Sequence, residues 1–144
     1  MNETISKDQE TVKMHPDLTR KTLLSSQAQE FREAYRITNG KDLTARTRQR
    51  NLITEEFKEF LEADGMLFRL GHRFQADCLK ELADLVYVCY QYAASMRWDL
   101  DEAMQRVHES NMSKLDEDGK PIYREDGKVL KGPNYKPPNL DDLV

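Results

Sequence analysis

Glu55, Glu56 and Glu59 in "EEFKE", and Glu81 and Asp84 in "ELAD", are carboxylates at helical spacing. Residues three and four apart are neighbours on a helix, so Leu52, Glu56, Glu59 and Phe60 form one stripe in which acids stand among apolar residues. Glu81 and Asp84 share a row in the same way, with Leu85 and Val88 on the next turn. Withdrawing an ionised carboxylate from water costs on the order of several kcal/mol unless a positive partner compensates. Two such pairs on consecutive antiparallel helices would converge on a hard cation. Magnesium, with Mn2+ able to substitute, takes oxygen ligands and keeps some water, which leaves positions for phosphate oxygens. Taken singly, either string reads equally well as a solvated helix face. A di-iron carboxylate bundle would need Glu-x-x-His pairs, and His15, His72 and His108 have no glutamate three positions before them.

Four helices would have to carry these groups. Ser26 with Gln29 resembles a capping box opening "QAQEFREAYRI", with Phe31 and Tyr35 on one side and Asn39-Gly40 as the stop. A second helix is expected from about Thr44 to Asp64, stopped by Gly65, and a third from about His72 to Arg97. Asp99 with Glu102 forms another capping box, starting a fourth helix that lasts to about Leu115. "EDGK" then recurs at Glu117 and Glu125, which suggests a small hairpin turning near Asp126-Gly127, followed by the proline-containing strap "KGPNYKPPNL". The fold class is therefore all-α, a four-to-five-helix bundle with a short C-terminal hairpin and an extended strap.

One core suffices for 144 residues of which 38% are hydrophobic. Residues 1–22 lack periodicity and read as a flexible segment, 23–115 as the helical domain, and 116–144 as hairpin and strap completing it. No run of apolar residues is long enough for a membrane span or a secretory signal, so a cytoplasmic location is expected. Cys78 and Cys89 lie about 16 Å apart on one helix, too far for a disulfide. A formal charge of -4 gives no general reason to bind nucleic acid, and "RTRQR" (Arg46 to Arg50) reads as a solvated face. The third helix carries apolar residues around most of its circumference, more than three companion helices cover, so at least a homodimer is expected.

The string Glu55, Glu56, Glu59, then twenty-one intervening residues, then Glu81 and Asp84 resembles the signature of the all-α nucleoside triphosphate pyrophosphohydrolases of the MazG and phosphoribosyl-ATP pyrophosphohydrolase type. "VHESNMSKLDEDGKPIYREDGKVLKGPNYKPP" is similar to the carboxyl-terminal segment of their compact, often phage-encoded members. The resemblance implies a MazG-like bundle, dimeric or tetrameric, that cleaves a nucleoside triphosphate to monophosphate and pyrophosphate with magnesium. Carried over residue by residue, it implies Glu56, Glu59, Glu81 and Asp84 as metal ligands. Glu55 would orient or deprotonate the attacking water, or be an ordinary exposed glutamate. Asn111 and Lys114 match substrate-holding positions, although either also reads as a residue of a helix's last turn. Lys131, Tyr135 and Lys136 would close over the phosphates or base, or cross a subunit interface. Resemblance to the phage-type members points to dGTP or GTP as substrate. Two other readings stand beside this one: a non-catalytic nucleotide-binding oligomer, and a housecleaning hydrolase of modified nucleotides. Tyr87, Tyr90, Tyr92 and Trp98 read as packing residues.

Overall fold

A computed structural model describes residues 23–144; the expected flexible segment, 1–22, lies outside the described residues. Four α-helices follow in order, α1 (Leu24–Ala34), α2 (Leu43–Leu70), α3 (Gln75–Met96) and α4 (Leu100–Met112), with 3-10 turns at His72–Phe74 and Asp141–Leu143. The all-α reading holds.

Asp42 opens α2 by accepting the Ala45 N–H at 3.0 Å, and the helix runs for 28 residues. It does not stop at Gly65. A glycine inside a helix costs only about 1 kcal/mol, and Met66 and Leu67 beyond it are half-buried, so the last turn continues. The stop is Gly71, whose φ of +83° is the left-handed value that a side chain resists. The 3-10 turn then reverses the chain, and α3 packs antiparallel along α2. At its far end Arg97 takes φ +60°, and the Trp98 N–H reaches the Ala93 carbonyl at 2.9 Å in a Schellman closure.

The core lies in the second half of α3, where Val88, Tyr90, Ala93 and Met96 are buried together with Ala28 of α1. Arg32 of α1 is also buried, 2% exposed, and its partners are all uncharged. It donates to Asn39 Oδ1 at 2.6 Å, to the Thr38 carbonyl at 2.9 Å and to the Gln91 side chain at 3.3 Å. This clasp explains why α1 ends at Ala34 and not at Asn39-Gly40: Thr38 and Asn39 are held by the guanidinium outside the helix. Ser95 Oγ completes the anchorage by donating to the Gly40 carbonyl at 3.1 Å. The expected Ser26 capping box is absent, since the helix begins after Leu23 with no side-chain cap. Ser25 bonds instead to the Asp101 carboxylate, tying α1 to α4.

Asp99 does cap α4, accepting the Glu102 N–H at 3.0 Å, but that helix ends at Met112, with a turn replacing its expected last residues. The expected hairpin is reduced to one antiparallel bridge between Tyr123 and Val129. Asp116 to Lys120 and Arg124 to Lys128 form matching turns, each closed by an N–H to carbonyl bond of 2.8 Å and each with its glycine at positive φ. The strap runs back along α4: the Lys136 N–H bonds Ser113 Oγ at 2.9 Å, Arg106 takes the Asn139 carbonyl at 3.0 Å, and the Asp99 N–H reaches the Leu143 carbonyl at 3.2 Å.

Candidate metal centre

The α2–α3 pairing brings Glu56, Glu81 and Asp84 together, with an oxygen from each within 4.8 Å of the others. All three are half-buried. Burial first, then repulsion from Glu59, Asp84 and Glu81, pushes the Glu56 carboxyl above its ordinary range. Crowding like charges in partial burial is unfavourable unless a cation enters, and three carboxylates supply the all-oxygen donor set that Mg2+ or Mn2+ prefers. A cation from the protein already stands at the cluster: Lys80 Nζ lies 2.9 Å from Asp84 Oδ2 and 3.1 Å from Glu81 Oε1. The two carboxylates hold this lysine strongly protonated.

Glu59 is not gathered into that trio. Its position on α2 is exposed, and with Glu55, Lys58 and Glu62 it lines an open groove of about 470 Å³ on the outer side of the helix. The stripe that places Glu56 against α3 is therefore narrower than the sequence suggests, and Glu59 stands at its rim, near enough to repel Glu56.

The five expected substrate contacts gather elsewhere, where the strap meets the end of α4. Lys114 donates to Asn111 Oδ1 at 2.7 Å, and the Lys131 ammonium sits 4.4 Å from the centre of the Tyr135 ring. The Gly132 N–H bonds the Lys114 carbonyl at 2.9 Å. A Cβ on Gly132 would come within 2.5 Å of the Leu115 oxygen, so only glycine lets the strap lie this close. α4 packs mainly on α1 and on the C-terminal 3-10 turn, while the carboxylate trio belongs to α2 and α3. The trio and the five expected substrate contacts thus sit on different elements.

The family model described as phosphoribosyl-ATP pyrophosphohydrolase matches residues 17–111, about two thirds of the sequence. The chain belongs to the phosphoribosyl-ATP pyrophosphohydrolase family. A search of the curated proteins finds no match. Membership carries a pyrophosphohydrolase-type activity on a nucleotide, in a family typically dependent on a divalent metal. The match to this pyrophosphohydrolase family contains every carboxylate of the trio and closes at Asn111, so Lys114, Lys131, Tyr135 and Lys136 lie beyond it.

Three features escaped the sequence. Lys80, four residues before Asp84, makes an ordinary pairing within α3, and only its place at a converging trio depends on α2, which supplies Glu56. The clasp of Arg32 has no sequence signal, because its arm to Gln91 spans 59 residues and its local partners, Thr38 and Asn39, lie outside any helix spacing. Gln49 is the buried residue of α2, with its Oε1 unpartnered, inside a run that reads as a solvated basic face. The packing roles expected for the aromatics agree with the rings: Tyr87 meets Phe31 edge-on at 5.6 Å, and Tyr92 lies 5.7 Å from Trp98. Cys78 and Cys89 are free thiols, Cys89 pushed up by burial. No described helix is long and apolar enough to cross a membrane.

Proposed function

We propose that this chain is a Mg2+-dependent nucleoside triphosphate pyrophosphohydrolase, converting a nucleoside triphosphate and water to the monophosphate and pyrophosphate, with dGTP or GTP preferred. The observation that carries the reading is the carboxylate trio held between α2 and α3 in a chain of this family. Glu56, Glu81 and Asp84 would hold the ion, with Glu59 joining from the rim. When bound, the ion polarises the phosphoryl oxygens and lowers the pKa of the attacking water. Glu55, exposed beside Glu59, is the residue proposed to orient that water. No covalent nucleophile is needed, because positioning and charge neutralisation supply the acceleration of phosphoryl transfer.

Lys114, Lys131 and Lys136 would neutralise phosphate charge, and Asn111 and Tyr135 would contact sugar or base. These groups belong to α4 and the strap and the acids to α2 and α3, which favours a homodimer or homotetramer in which one subunit's strap approaches another's trio. Exposed apolar side chains on the α2–α3 hairpin support the same assembly: Phe68 is 90% and Leu79 67% exposed. The preference for guanine rests on likeness to the phage-type strap. The free thiols of Cys78 and Cys89 are compatible with the cytoplasmic site of action we propose.

The deciding assay incubates the protein with each ribo- and deoxynucleoside triphosphate, and with phosphoribosyl-ATP, in the presence of Mg2+. Monophosphate plus pyrophosphate is the expected product pair, whereas orthophosphate plus a diphosphate rejects the reaction. Equal kcat/KM for guanine and adenine substrates removes the base preference alone. Replacing Gly132 by Ala, which lifts the strap, should raise KM more than it lowers kcat if the strap holds substrate.

A further inference from the structure

Lys80 Nζ touches three carboxylate oxygens, Asp84 Oδ2 at 2.9 Å and the two oxygens of Glu81 at 3.1 and 3.2 Å. Glu81 and Asp84 are two of the three residues whose oxygens converge. The lysine side chain is 63% exposed, against 18% for Glu81 and 42% for Asp84, so its ammonium approaches the acids from the solvent side and has room to leave. A lysine head is a compact point charge on a four-carbon stem, suited to occupying a cation's place temporarily.

We propose that Lys80 is an internal competitor for the divalent ion: it bridges Glu81 and Asp84 while the metal is absent and is displaced, still protonated, when an ion binds Glu56, Glu81 and Asp84. The proposal rests on the metal reading of this site and adds its regulation. Bridging holds two like charges together, so the donor set stays assembled without metal. The same bridge must be broken for binding, so it weakens apparent affinity and sets the ion concentration at which the site loads. No covalent bond is made or broken, and no proton moves.

The test is Mn2+ binding to the full-length protein without nucleotide, followed by calorimetry, for the wild type, Lys80→Met, Lys80→Arg and Lys58→Met. Lys58 is an exposed lysine on α2 that lines the groove with Glu59 and serves as a control for general charge. Lys80→Met should bind Mn2+ about three- to fivefold more tightly, the upper scale of one partly exposed ion pair. Lys58→Met should change affinity by less than about twofold, and Lys80→Arg should stay near the wild type. Metal-free Lys80→Met should melt below the wild type and show a larger rise in Tm on adding Mn2+. Mn2+ binding to Lys80→Met that is no tighter than to the wild type, or equal tightening in Lys58→Met, overturns the proposal. No Mn2+ binding by any form overturns the metal reading, and the proposal with it. Where methionine at position 80 prevents folding, Lys80→Gln gives the same readout.

Discussion

Charge is handled differently in two regions of this molecule. Where the strap meets α4, Arg106 bonds Asp142 through two nitrogens and Glu102 at 2.8 Å, leaving its donors paired among neighbouring acids. At the α2–α3 acids, Glu56, Glu81 and Asp84 crowd together with one lysine, and Glu56 is held above its ordinary pKa. A paired cluster is complete as it stands. A half-buried cluster with the larger surplus of negative charge has been assembled at a cost, which supports the proposed reading of a site that takes a cation.

The comparison breaks most readily at Asp84. Its replacement by Ala should lower kcat/KM by about 100-fold or more while helical circular dichroism is retained. A loss of fold instead would make the acids structural and erase the distinction. The next largest effect belongs to Arg32, whose replacement by Met leaves Thr38, Asn39 and Gln91 without their donor and should cost about 3 kcal/mol in chemical denaturation. Turnover per folded molecule should be preserved.

A smaller effect concerns pH. Glu56 has a folded pKa above its unfolded one, so the native state binds the proton first, and the metal-free protein should gain stability as pH falls from neutrality toward the range just above 4.5. Glu56→Gln should flatten that rise. Asp142 works in the opposite sense: Arg106 holds its pKa below the ordinary carboxylate value, so its contribution is lost only as pH falls through that lowered value. The smallest effect follows from its exposure, for Asp142→Asn should leave Tm at neutral pH within about two degrees of the wild type.

Periodicity was enough to show four helices and to put Glu56, Glu81 and Asp84 on facing rows, because local spacing decides which residues share a helix face. It misplaced the end of α2, since a glycine is tolerated inside a helix when flanking residues pack, and only backbone conformation separates Gly65 from Gly71. It set Glu59 in one stripe with Glu56, whereas Glu59 stands exposed at the rim of the trio, because spacing along one helix does not reveal how far a neighbouring helix reaches across it. The clasp at Arg32 depends on α3 packing against α1 to deliver Gln91, whereas the bridge at Lys80 joins neighbours within α3 and only the approach of α2 brings Glu56 beside it.

The bond between Arg32 and Gln91 spans 59 residues of chain, whereas α2 and α3 meet across a single 3-10 turn. Closing the longer loop costs more entropy, so the α2–α3 hairpin is expected to form first, with α1 docking onto it later. Native-state opening runs in reverse: the undocking of α1 frees its own amides together with the connection from Tyr35 to Lys41, while α2 and α3 stay paired, giving hydrogen exchange at two rates in one small domain.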